Sequence, residues 1–379
     1  MSDLLTPLAP PVNTAATAEE LRKKPTFAKN DGYYAELRRR VDEYFQTTGL
    51  PQRDCPQMYL KTAVLLSSLV LTYTLLVFFA TTWWQALPLA VVLGLIVAGI
   101  GFNVMHDGGH QAYSSRPWVN KMMAITVDFL GGSSYLWHWK HAVMHHTYVN
   151  ITGHDADIDL GVLGRISPHQ KRYWFHRWQQ FYLWPLYGLL AVVWHFYSDF
   201  HEVIVGKIGG NRVPRPQGWE LGLFVFGKVC FFTLAFVIPL QRHSLGEVAL
   251  AYLVASFALG FVLSIVFQLA HAVEEADFPM PRPDSGAIEN TWATHQVETT
   301  VDFGRQSRLL SWLVGGLNFQ IEHHLFPRIC HIHYPALSKI VESTSREFGV
   351  RYTAHDTFWQ GLVSHFRWLR GMGVAAELP

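Results

Sequence analysis

Cysteine is scarce in this chain of 379 residues: there are three, Cys55, Cys230 and Cys330, far apart and in no CxxC spacing. That excludes a disulfide scaffold, a cysteine-clamped zinc site and a thiolate-held iron–sulfur cluster, so any metal must be held by histidine and a few oxygen donors. An excess of either charge is lacking too. With a formal net charge of +1 and no basic stripe, nothing argues for nucleic acid as a partner. The first 20 residues hold no Lys or Arg and no unbroken apolar stretch, so no secretory signal is read there. The polar N-terminal segment also lacks the His-Pro-Gly-Gly motif that would bind haem.

What is abundant is apolar sequence and histidine. Half the residues are hydrophobic, and they are gathered into runs long enough to cross a hydrocarbon layer of about 30 Å. Four spans are expected, at residues 60–83, 86–104, 221–240 and 248–270, joined by very short links into two helical hairpins. A weaker run from Phe181 to Phe196 carries Pro185 and His195. A fifth crossing there would separate the later histidines from the earlier ones, so the run is expected at the interface or against the rest of the domain. Residues 1–24 read as disordered. Residues 25–59 read as an amphipathic cytoplasmic segment, with Tyr33, Leu37, Val41, Tyr44 and Phe45 at helical spacing. Residues 60–379 form the main domain. Lys and Arg crowd the three long polar segments, while the link between the first two spans has none and that between the last two only Arg242. By the positive-inside rule the hairpin tips face out and every histidine cluster faces the cytoplasm. The expected architecture is all-α and integral to the membrane, with four transmembrane helices under a cytoplasmic helical cap.

Twenty histidines are present, and nine donors stand in a pattern that suits metal. His106 and His110 are an i, i+4 pair just beyond the second span. His141, His145 and His146 lie within six residues. On an α-helix the first two share a face, while His146 points away and can reach a second centre. His271 ends the fourth span, and Gln320, His323 and His324 repeat the i, i+3, i+4 logic with an amide in the first place. Nine donors exceed what one first-row metal accepts, so two metals are implied. Imidazole alone does not name them, because zinc, copper, iron and nickel all accept it. A zinc hydrolase needs three ligands and an open position, a poor match. Two irons would suit O₂ activation beside a lipid chain. Asp107, His154, Asp155, Asn150 and Asn318 are expected to orient ligands, a metal-bound imidazole usually passing its other N–H to such a group.

In order and spacing, His106-Asp-Gly-Gly-His110, His141-Ala-Val-Met-His145-His146 and Gln320-Ile-Glu-His323-His324 resemble the three histidine boxes of membrane fatty acid desaturases. The glutamine opening the third box is typical of the front-end subgroup. The resemblance runs from about Leu60 to the C-terminus. It implies a non-haem di-iron centre held by the boxes and His271, with Gln320 binding iron directly or through water. It also implies a bent acyl tunnel and O₂-dependent removal of two hydrogens. Trp292, His295, Gln296 and Thr299 are expected to line that tunnel. Without a fused haem domain the chain is similar to bacterial and cyanobacterial acyl-lipid Δ6 desaturases, in a bacterial inner membrane, with electrons from a separate carrier such as ferredoxin or a cytochrome. The substrate implied is an unsaturated C18-type chain on a glycerolipid or on coenzyme A, with linoleoyl becoming gamma-linolenoyl. The rivals are a fatty acyl or carotenoid hydroxylase or ketolase with the same boxes, and a metal-sensing membrane receptor or transporter. Lys228 alone is ionisable at mid-span, which leaves no visible transport path.

Overall fold

The computed structural model describes residues 24–29 and 31–375. Most of the segment read as disordered therefore lies outside the described residues. Four helices are long and apolar enough to cross a membrane: Pro56–Phe79, Trp83–Gly109, Trp219–Gln241 and Leu245–His271. Each has a local reason for its limits. Pro56 opens the first span, where a missing N–H costs nothing. Ser244 and Glu247 form a capping box at the start of the fourth, with Ser244 N donating to Glu247 Oε2 at 2.9 Å. The second span runs on past its apolar part through His106–Gly109, so the first histidine box sits on the end of a membrane helix.

The second and fourth spans meet at a glycine. A Cβ on Gly94 would stand 2.2 Å from the Ala255 carbonyl oxygen, so only glycine permits this approach. The Phe181–Phe196 run is a broken helix, Gln179–Tyr187 followed by Leu190–Val193, and Leu183, Tyr187 and Ala191 share an apolar core with Leu259 and Leu263 of the fourth span. Lys228 of the third span is buried and engaged, donating to Asp199 Oδ2 (2.6 Å) and to the Gly131 carbonyl (2.5 Å).

The rest of the chain folds over one end of the spans. Strands are minimal among the described residues, in three two-stranded pairs, of which Thr26–Ala28 with Ala287–Thr291 and Asp302–Phe303 with Ala354–His355 are parallel. The amphipathic helix Tyr33–Thr48 buries Tyr33, Leu37, Val41 and Phe45 in a core shared with Leu337 and Val341 of the Tyr334–Phe348 helix and with Phe319, Ile321 and Leu325 around the third histidine box. Its apolar face thus packs on the domain.

Candidate metal centre

Each donor is carried by an element that ends or winds irregularly at the site. His106 and His110 follow a π-helical stretch, Gly101–Met105, at the end of the second span. His138–His145 is π-helical throughout, and His146 begins a short helix. His271 is the last residue of the fourth span, and Gln320–Leu325 is a short buried helix. Glycine explains the close fit of the first box. A Cβ on Gly108 would meet the backbone at Ala124 and Asn120 below 3 Å.

All eight imidazoles converge and are buried. His106, His110, His141 and His323 form one group with ring nitrogens within 4.8 Å of one another, His145, His271 and His324 a second, and His146 with His323 and His324 a third that joins them. The pairing of His141 with His145 on one face, read from α-helical spacing, holds: their rings stack at 5.1 Å and both face Asp157. From that one face the pair serves both groups: His141 joins His106 and His110, while His145 joins His271 and His324. Gln320 completes the second group. Its Nε2 lies 3.1 Å from His271 Nε2 and 3.3 Å from His324 Nε2, and a 180° turn of the amide puts its oxygen in the same place.

Several of the nitrogens that face inward lack protein partners among the described residues. His106 Nε2 and His141 Nε2 point at each other across 3.2 Å. His110 Nε2, His145 Nε2, His323 Nε2 and both nitrogens of His146 are buried without a hydrogen bond among the described residues. A buried polar atom left so costs about 1–3 kcal/mol, and this many at one point is the signature of a cation-binding site. Burial and neighbouring imidazoles hold the pKa of His110, His146, His323 and His324 far below the usual histidine range, so they stay neutral, the ligating form. The residues therefore fit metal: nitrogen donors, no thiolate, and two groups of three and four imidazoles.

The outward-facing nitrogens are held by a second set of residues. His145 Nδ1 meets both oxygens of Asp155 at 3.2 and 3.1 Å, and Asp155 accepts from the backbone of Asn150 and Asp157 at 2.9 Å each. His324 Nδ1 donates to Gln296 Oε1 (2.9 Å), and His323 Nδ1 lies 3.3 Å from the Tyr334 hydroxyl. Asp302 takes the Ile321 N–H at 3.1 Å, and the Tyr352 hydroxyl donates to Asp302 (2.7 Å) and Glu322 (3.1 Å), which ties down the third box.

Several expectations for these supporting residues change. Asp107 engages His331 at 2.9 Å rather than a box histidine, and His331 in turn meets Lys61 of the first span at 3.2 Å. His154 packs on Tyr148 and makes no bond to a ligand. Asn150 acts through backbone, with its amide donating to the carbonyls of His271 and Thr299, while the Asn318 amide is buried without a partner. Of the residues assigned to a tunnel, Gln296 binds His324 and Trp292 donates to the His146 carbonyl at 3.3 Å. Thr299 donates to the carbonyl of the buried His295. Asp157, Asp302, Tyr334 and Tyr352 were not read from sequence. Asp157 had a signal in the Asp155-x-Asp157 spacing beside the second box, whereas Asp302 and Tyr352 stand in no motif.

Four membrane helices closed at one end over a buried constellation of imidazoles define a membrane protein built around a histidine metal site. The chain belongs to the fatty acid desaturase family, whose model matches residues 81–356, and is an oxidoreductase acting on fatty acyl chains. It is 39% identical to the sn-1 linoleoyl-lipid 6-desaturase of Synechocystis sp., over 95% of this chain and 99% of that one. It is 38% identical to the protein of the same name from Arthrospira platensis, over 93% and 96%. An acyl-lipid (8-3)-desaturase of Physcomitrium patens is 36% identical over 92% of this chain and 73% of its own length.

Proposed function

We propose that this protein is a front-end desaturase that introduces a Δ6 double bond into a linoleoyl chain on a membrane lipid, forming the gamma-linolenoyl product. The observation that carries the reading is the convergence of eight buried histidines, with the inward nitrogens of His110, His145, His146 and His323 bonded to no described group. In this reading two non-haem irons are held, one by His106, His110, His141 and His323, the other by His145, His271, His324 and Gln320, with His146 between them. Bound iron would supply reductive activation of O₂ and the oxidising power to remove two hydrogens from the chain, with electrons from a separate carrier such as ferredoxin or a cytochrome.

The chain's own residues do the rest. The neutral imidazoles of His110, His146, His323 and His324 present lone pairs without the cost of losing a proton. Asp155, Gln296 and Tyr334 fix which ring nitrogen faces inward. Burial of every donor keeps bulk water from the oxidising centre. Residues 60–379 form the catalytic unit, with 25–59 as a cytoplasmic segment packed on the cap. The excess of Lys and Arg on the long segments supports a cytoplasmic site in a bacterial inner membrane, with the electron donor docking on that face.

The decisive experiment is expression in a host fed linoleate, with fatty acids analysed by gas chromatography and mass spectrometry. Gamma-linolenate, two hydrogens lighter than its precursor, is expected. A product heavier by one oxygen would establish the hydroxylase instead, and an unchanged profile from iron-loaded protein supplied with reductant would refute both.

A further inference from the structure

Between the two hairpins lies a cavity of about 650 Å³ that has no part in the histidine site. Its walls come from all four spans, with Leu69, Val77, Phe231 and Leu259 among them, and none of the nine donors lines it. Along the fourth span it reaches from Glu247 to Leu259, about 18 Å at 1.5 Å per residue. One leaflet of a hydrocarbon core about 30 Å thick is about 15 Å, so the cavity is one leaflet deep.

Its two ends differ. The polar groups deeper in it are satisfied: His195 Nδ1 is paired with the Tyr252 hydroxyl at 2.8 Å, and the His195 ring packs on Gly131. The outer end lies at the hairpin tips among Thr81, Thr82, Trp83, Arg242, His243 and Glu247. Trp83, 73% exposed, marks the level of the lipid headgroups there. Of the polar groups at this mouth, His243 is committed to the Val77 carbonyl at 2.8 Å and Glu247 to its capping box. Among the described residues the Arg242 guanidinium forms no ion pair, and it lies over the Phe78 ring, 5.4 Å from the centroid. A free guanidinium above an apolar slot one leaflet deep has the chemistry of a phosphate over an acyl chain.

We propose that this groove is a binding site for an anionic glycerophospholipid of the leaflet at the hairpin tips, with its phosphate on Arg242 and one acyl chain between the hairpins. The lipid is a resident one, distinct from the substrate, because its chain ends against His195 and Tyr252 rather than at the histidine cluster. It fills the slot that the close Gly94–Ala255 contact leaves between the first and third spans.

The test is native mass spectrometry of the full-length protein released from mild detergent after incubation with phosphatidylglycerol or with phosphatidylcholine of the same chains. One phosphatidylglycerol retained per chain is expected, held about fivefold more tightly than phosphatidylcholine, the value of one interfacial cation. Arg242→Gln should erase that preference while leaving weak binding of both. Ala251→Phe, which fills the slot, should abolish both, with metal content and monodispersity unchanged as the check on folding. Equal retention of the two lipids by the native chain and by Arg242→Gln would overturn the headgroup assignment. A lipid-free dimer, or retention untouched by Ala251→Phe, would overturn the site.

Discussion

Asp155 grips His145 by the nitrogen that faces away from the centre, with both carboxylate oxygens within 3.2 Å of Nδ1, leaving Nε2 free to ligate. Asp155→Asn keeps the shape but removes the charge that makes the imidazole basic. Metal affinity or turnover is expected to fall about 10- to 100-fold, read as iron per chain and as product formed. Unchanged values for both would show that the Asp155 charge does not tune the site.

Gln320 offers the only non-imidazole donor of the nine. Gln320→Leu, similar in bulk but without a donor, should lower iron content and activity, whereas Gln320→His should restore iron content by placing a ring nitrogen beside His271 and His324. Iron analysis and product yield check both. If Gln320→Leu matches the native chain, the amide is not a ligand.

The third box depends on a buried network remote in sequence. Tyr352→Phe leaves the Asp302 and Glu322 carboxyls without their shared donor and should cost about 1–3 kcal/mol of stability. A thermal melt of the variant alongside the native chain measures it.

These cases show what the sequence made legible. The spans were readable because an apolar run of membrane length has few alternatives, and the donors because three clusters follow spans that return to the same side. The assignment of His141 and His145 to different groups was not readable, because the two stack on one face and only the tertiary fold brings His106 and His110 to one and His271 and His324 to the other. Nor was the Asp302–Tyr352 contact, which joins positions fifty residues apart through a short parallel strand pair. Asp107 misled because adjacency to His106 suggested a partner that its side chain turns away from.

The Gly94 contact predicts a packing limit. Gly94→Leu would force the second and fourth spans apart, since even a Cβ would overlap the Ala255 carbonyl. A loss of about 1–3 kcal/mol is expected, visible as a lower melting temperature and, because His106 and His271 end those two helices, as reduced iron occupancy.

Glu202 gives a pH dependence outside the metal site. Burial raises its pKa to about 7, with Lys140 opposing. A carboxyl whose folded pKa is raised contributes stability present in full below its ordinary value and lost as pH rises through the folded one. Melting temperature should therefore fall from pH 6 to pH 8 by more in the native chain than in Glu202→Gln. Identical slopes would exclude this carboxyl as a source.

The scatter of the donors along the chain also sets an order of events. His106 is translated long before His324, and the two reach one centre only after both hairpins have crossed the membrane and the segment between Ala272 and Phe319 has folded back over them. The donor set is therefore complete only after both hairpins and the third box have been made, and its assembly reports that each earlier step succeeded. A hairpin with only one of its two spans inserted would strand His106 and His324 on opposite sides of the bilayer, where the donors could not meet.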